Sequence, residues 1–323
     1  MIEIDLSNAL STEAMFANQP ALFEQAVQAD QKALEVYTKS DSPQDWARTQ
    51  ANLGSALSDE SMAANGEKAA ALADQAVQAY RNALEVFTRA DLPQDWAQVQ
   101  ASMGYALWLE SLSVSPGNSA SLLDQAVKAL ENALQVRTKA NLPQDWAWTQ
   151  EHLALALRDE STAVGVETST ALLDQAMEAY QNALEVYTKT EMPREWAETE
   201  MGVVELSLRA GRFDACLQYA QLLTDDTLPP TEIAVRDTMQ LACQWGSGDK
   251  NTALATERTF SSKASGLPSV GVWDFTRTIQ VLSVSPAFAS GRASWIALFT
   301  SAQNGDTAGM TSALHQLEPL LQQ

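Results

Sequence analysis

The sequence predicts an all-α protein, a right-handed α-solenoid of antiparallel helix pairs. The first observation is a set of tryptophans that recur every 50 residues: Trp46, Trp96, Trp146 and Trp196. A fixed interval of roughly 20–50 residues is typical of repeat arrays. Apolar residues also recur at helical spacing inside each copy. Hydrophobic residues make up 46% of the chain, which is enough for a continuous core.

We divide the chain into three regions. Residues 1–40 are predicted to form an N-terminal cap and a half repeat, with a short helix from Leu6 to Phe16. Residues 41–230 contain the repeats, and residues 231–323 form a degenerate helical region that continues the array. The individual repeats span residues 41–90, 91–140, 141–190 and 197–230.

Each full repeat predicts two helices. In the copy at residues 91–140, Pro93 fits an early position of the first helix, where a missing N–H costs nothing. Asp91 and Gln94, three residues apart, predict a capping box at the start of that helix. The segments between the helices, residues 61–70 in the first copy, are interpreted as wide turns.

The second helices carry an apolar stripe in which small alanines alternate with larger side chains. Asp30 replaces the large residue that later copies have at this position, Tyr80 in the next one. A carboxylate at a packing position predicts that residue 30 lies at an exposed end of the stack.

The last region predicts five helices, two pairs and a single helix. Residues 231–247 and 249–264 are expected to pair around Gly248, with Ala253 facing inward. Residues 268–283 are expected to form a single helix that contains Trp273 and Phe275, and the ranges 291–303 and 306–321 a final pair.

The formal net charge of −21 is concentrated in residues 1–240, which hold 36 acidic and 15 basic residues. Nucleic acid and anionic membranes are therefore excluded as partners, because phosphate binding requires clustered Lys and Arg. The acidity keeps an Ala/Leu-rich array soluble or, alternatively, steers a basic partner towards it.

Cys216 and Cys243 are too few for a disulfide framework. We expect two small buried free thiols, with a bridge between neighbouring helices as the alternative. The first 20 residues lack the pattern of a signal peptide, and no apolar run is long enough for a membrane span. The default location is therefore the cytoplasm.

The sequence offers no catalytic, cofactor-binding or metal site, and we expect no enzymatic activity. Its histidines are His152 and His315. His152 occupies a polar position of the repeat and is interpreted as a surface or inter-helix hydrogen-bonding residue. No phosphate-binding loop or dinucleotide fingerprint is present. The recurring glutamates at residues 60, 110 and 160 are copies of one structural position, not an acid/base pair.

The spacing of small and large residues resembles the tetratricopeptide repeat. The matching positions are Leu53, Gly54, Leu57, Ala76, Tyr80, Ala83 and Pro93. The repeat here is 50 residues long, against about 34 in that family. We attribute the difference to longer helices and a wider turn between them. These long units also resemble those of bacterial arrays that accompany caspase-like proteases or signalling ATPases.

The resemblance implies that the first helices line a concave groove, with contact residues one, four, eight and eleven places after the repeated alanine. Trp108 and Trp148 occur once each, whereas Trp96 and Trp146 recur and are assigned to the core. The groove residues that we expect to contact a partner are Tyr105, Trp108, Trp148, Glu151, Leu155, Arg158, Glu198, Met201 and Glu205. Exposed aromatics with a charged rim are typical of binding hot spots. Alternatively, Trp108 and Trp148 pack on the lengthened helix ends.

The expected function is non-enzymatic binding of a protein or peptide with basic and apolar side chains. Two alternatives stay open. The chain could be a structural subunit, in which the C-terminal face or the end at Asp30 joins a second copy, or a regulatory subunit of a separately encoded protease or signalling ATPase.

Overall fold

The computed structural model describes residues 9–10, 13, 21–64, 66–114, 116–162, 166–264, 266–267 and 273–322. These residues form 14 α-helices and one short 3-10 turn, and no β-strand occurs among them. The predicted all-α fold of helix pairs is confirmed. The predicted helix from Leu6 to Phe16 lies mostly outside the described residues.

The chain forms two compact units, residues 1–172 and 173–323. From α1 to α6, consecutive helices of the first unit pack against each other. These helices are α1 (Ala21–Val36), α2 (Pro43–Ala63), α3 (Gly66–Leu84), α4 (Pro93–Ser113), α5 (Pro116–Leu134) and α6 (Pro143–Glu160). The boundary between the units falls within α7 (Val166–Leu184).

The connection inside each pair is short. Only residues 64–65 separate α2 from α3, and residues 114–115 separate α4 from α5. The predicted wide turn is therefore wrong, because the additional residues extend the two helices. Alanine-rich sequence continues α2 to 21 residues, and Gly66 makes the turn with φ 57°.

The predicted capping box is also wrong. Leu92 is the N-cap residue of α4, and it makes no side-chain cap hydrogen bond. Asp91 instead pairs backwards: Thr88 Oγ1 donates to Asp91 Oδ2 at 2.7 Å, and the Asp91 backbone N–H donates to Thr88 Oγ1 at 3.1 Å. Thr38 and Asp41 make the same two bonds, at 2.7 and 3.2 Å, in the previous copy. We call this pairing the Thr–Asp junction.

Three of the recurring tryptophans, Trp46, Trp96 and Trp146, lie at the edge of the core, whereas Trp196 is buried. Trp46 and Trp96 are half-buried, and a basic side chain covers each ring. Lys39 Nζ lies 5.5 Å from the Trp46 ring centroid, and the Arg89 guanidinium lies 5.8 Å from that of Trp96. The assignment of these residues to the core is correct only for the packed side of each ring. Asp30 is fully buried, so the predicted exposed end at this residue is wrong.

The second unit is less regular than the first. Its helices are α8 (Pro193–Arg209), α9 (Phe213–Ala220), α10 (Ile233–Ser247), α11 (Lys250–Ala264), α12 (Thr276–Val284), α13 (Arg292–Asn304) and α14 (Thr307–Leu321). Helix α10 packs against α8, α9, α11 and α13, and α12 packs against α8. The predicted pair around Gly248, which has φ 82°, and the final pair are confirmed. Trp273 and Phe275 precede α12 instead of lying within it.

The two cysteines form a disulfide that links α9 to α10. The Cα atoms of Cys216 and Cys243 are 6.0 Å apart, and both side chains are fully buried. The expectation of two free thiols is wrong, because the helices that carry them lie directly side by side. The bridge fixes α9, a helix of only 8 residues, to the centre of the second unit.

Candidate partner-binding patch

Four rings from two helices meet in the first unit. The Tyr105 ring centroid lies 5.8 Å from that of Trp108, 5.9 Å from that of Trp148 and 4.9 Å from that of His152. All four side chains are half-buried. We call this group the aromatic patch. Contacts of this kind stabilise aromatic pairs by about 0.5–1.5 kcal/mol each.

Helical spacing brings these rings together. Tyr105 and Trp108 are three residues apart on α4, and Trp148 and His152 are four apart on α6, so each pair shares one helix face. Helices α4 and α6 are in contact, although α5 separates them in sequence. The structure therefore brings Tyr105, Trp108 and Trp148 together, as predicted.

His152 is a member of the patch that the sequence analysis missed. Its ring stacks on Trp148 with centroids 3.8 Å apart, and its Nδ1–H donates to the Trp148 carbonyl oxygen at 2.8 Å. Burial lowers the pKa of His152 to about 4, so the imidazole is neutral at pH 7. The four-residue spacing from Trp148 was the signal that could have identified it.

The floor of the patch belongs to the core. Trp148 packs against Ala97, Ala101 and Ala133, and Trp96 packs on the same cluster. Because Trp148 is half-buried, one part of its ring contacts this cluster and another part remains accessible. The ring therefore supports the fold and still offers apolar surface.

Trp108 is held by a buried carboxylate. Its indole Nε1–H donates to Asp159 Oδ2 at 2.9 Å, and Arg158 Nε donates to Asp159 Oδ1 at 3.2 Å. Asp159 is 1% exposed and Arg158 is 5% exposed. Arg158 therefore orients a structural carboxylate and does not line an accessible rim, contrary to the sequence prediction. Glu151 and Leu155, from the same helix, are half-buried.

Two residues of α2 border the patch on the side of Tyr105. The Tyr105 hydroxyl donates to Met62 Sδ at 2.6 Å, and Met62 is 62% exposed. Asp59 lies one helical turn before Met62. Burial raises the pKa of Tyr105, and the negative charge of Asp59 raises it further. The groove positions taken from the repeat pattern did not include Asp59 or Met62.

The predicted contact residues of the second unit are placed differently. Met201 and Glu205 are fully buried. The Trp273 indole Nε1–H donates to Glu205 Oε2 at 2.9 Å, and Arg209 Nη1 lies 3.8 Å from Glu205 Oε1. Both residues are therefore internal to the second unit, and their prediction as partner contacts is corrected. Glu198 is half-buried and accepts from Arg194 Nε at 2.8 Å.

Two other kinds of site were sought in the described part of the chain. No group of three or more His, Cys, Asp or Glu side chains there is placed to hold a metal ion. No helix in the same residues is long and apolar enough to cross a membrane.

No protein-family model and no curated protein matches this chain. Among solved structures, the apo form of RapI is similar over 100% of this chain and 98% of its own, with 12% sequence identity and a TM-score of 0.47. A likeness at this level says nothing about function.

Proposed function

We propose that this chain is a non-enzymatic binding protein that holds a segment of another protein against the aromatic patch. The observation that supports the proposal is the partial exposure of four clustered rings beside the exposed thioether of Met62. Half-buried Trp and Tyr side chains supply rigid apolar area at low entropic cost, and they are the residue types that dominate binding hot spots.

The helix pairs of residues 41–230 are proposed to be a long variant of the tetratricopeptide repeat. The support comes from the small residues at its close-packing positions. An ideal Cβ built on Gly54 would lie 2.7 Å from Tyr80 Cε1, and one on Gly104 would lie 2.6 Å from Leu130 Cγ. Glycine at this position of the repeat therefore allows the second helix to approach the first.

The test of binding is selection of a random peptide library on the full chain. Peptides that bind the aromatic patch should bind Trp148→Ala about 30-fold more weakly, since truncation of a central aromatic costs roughly 2 kcal/mol. Circular dichroism must first show that this variant is folded, because Trp148 also packs on the core.

A matched pair of surface variants separates the aromatic patch from exposed apolar residues in general. Met62→Ala removes the thioether beside Tyr105, and Val36→Ala removes a similarly exposed side chain, 68% accessible, from α1. Selected peptides should lose affinity only for Met62→Ala. Failure to select any peptide, or equal loss with both variants, would contradict the proposed function.

A further inference from the structure

Asp59 is a half-buried carboxylate at the border of the aromatic patch. Among the described residues, no group donates a hydrogen bond to it or forms an ion pair with it, and burial alone accounts for its altered ionisation. Burial without a partner raises the pKa of Asp59 to about 7. A carboxylate in this condition is stabilised by any cation that reaches it.

No described base forms an ion pair with Asp59, and Lys68, which lies on α3, is engaged by the neighbouring Glu60 at 2.9 Å. The first helices of this unit contain few bases: α4 has none, α2 has only Arg48 near its start, and α6 has only Arg158. Arg158 is already paired with Asp159. Residues 21–162 contain 19 acidic and 10 basic residues, so the field around the aromatic patch favours a positive partner.

The side chains next to Asp59 suit the stem of a long basic residue. Met62, one turn further along α2, is exposed, and Tyr105 presents a half-buried ring. Lys and Arg side chains pack their aliphatic stems on apolar surface while the charged end reaches a polar group. A cation near a tyrosine ring gains additional electrostatic attraction.

We infer that Asp59 receives a Lys or Arg side chain of the bound segment, whose stem lies along Met62 and Tyr105 while a neighbouring apolar residue contacts the tryptophans of the aromatic patch. This inference rests on the proposed function and deepens it. It places the preference for a basic partner in the first unit, at Asp59, which forms no ion pair in the free protein.

The experiment uses two displayed libraries of random 12-residue peptides, one complete and one without Lys and Arg codons, selected on the full chain. The complete library should yield binders that share a basic residue beside an apolar one, and the depleted library should yield few. Each binder is then measured against wild type, Asp59→Asn and Asp74→Asn. Asp74→Asn is the control, because it makes the same chemical change at an exposed carboxylate on α3.

A basic peptide should bind Asp59→Asn about 10-fold more weakly than wild type and Asp74→Asn equally well. When the shared basic residue of the peptide is replaced by Met, the difference between wild type and Asp59→Asn should disappear. Binders that lose affinity with Trp148→Ala but are indifferent to Asp59→Asn would overturn this inference and leave the proposed function standing. The absence of any binder sensitive to Trp148→Ala would overturn both.

Discussion

Trp108→Phe isolates the hydrogen bond that the indole makes to Asp159. The substitution keeps an aromatic ring in place and removes the Nε1–H that donates to Asp159 Oδ2 at 2.9 Å. Asp159 is 1% exposed, so water cannot replace the lost donor. Loss of a hydrogen bond to a buried charged group costs about 1.5–3 kcal/mol. The smaller ring adds about 1 kcal/mol of lost apolar burial.

The expected loss in the free energy of unfolding is therefore about 2.5–4 kcal/mol, which corresponds to a decrease in Tm of about 5–16 °C for a unit of this size. Circular dichroism at 222 nm measures it without relying on tryptophan fluorescence. Trp148→Phe is the matched control, because it changes the same ring and no described group accepts a hydrogen bond from its indole; it should cost about 1 kcal/mol. If both variants lost the same stability, the bond to Asp159 would not hold Trp108 in place.

Three further predictions concern the fold and its pH dependence. Burial raises the pKa of Asp59 from 3.8 to about 7, so between these pH values the folded state binds more protons than the unfolded state and loses stability as the pH rises. In urea unfolding, Asp59→Asn should be more stable than wild type by about 1 kcal/mol at pH 8 but not at pH 4. Equal stability of the two proteins at both pH values would contradict the burial of this carboxyl. Reduction of the disulfide between Cys216 and Cys243, which are 27 residues apart, should destabilise the second unit by about 3.5 kcal/mol. Hydrogen exchange should then increase within residues 173–323 only. No increase there would show that the disulfide does not constrain the unit. Gly104→Ala should lose about 1–3 kcal/mol through the clash with Leu130, in spite of the better helix propensity of Ala, and a stabilised variant would contradict the close approach of the two helices.

The disulfide between Cys216 and Cys243 also bears on the predicted cytoplasmic location. Disulfides persist mainly in oxidising compartments, whereas cytosolic thiols are kept reduced. Thiol labelling of freshly isolated protein would distinguish the bridged form from the free thiols that a cytosolic protein should contain.

The periodic part of the fold could be predicted from the sequence, because each copy repeats the same pattern of residues. The proline that begins each first helix recurs in all four copies, and the glycine at the close approach recurs in the first two, as Gly54 and Gly104. The width of the turn could not be read in this way. Residues 61–63 contain good helix formers, and the helix ends where Ala64 becomes extended, with φ −95° and ψ 173°.

The site was predictable where its residues come from neighbouring copies. Tyr105 and Trp148 occupy groove positions of consecutive repeats, and the structure brings their rings together. Glu205 fails the same reasoning because Trp273, 68 residues further along, donates a hydrogen bond to it and helps to enclose it. Periodicity carries no information about such a distant and irregular segment. Asp59 was missed because it lies outside the four groove positions of the repeat.

The Thr–Asp junction is the same at both ends of the first full repeat. Thr38 closes on Asp41 and Thr88 closes on Asp91 with the same pair of hydrogen bonds. If residues 41–90 were excised, Thr38 would stand three positions before Asp91, and the same corner could form between α1 and α4. Such a shortened protein would keep all four rings of the aromatic patch while losing Asp59 and Met62. The array could therefore change its preference for a partner by the loss or exchange of one repeat.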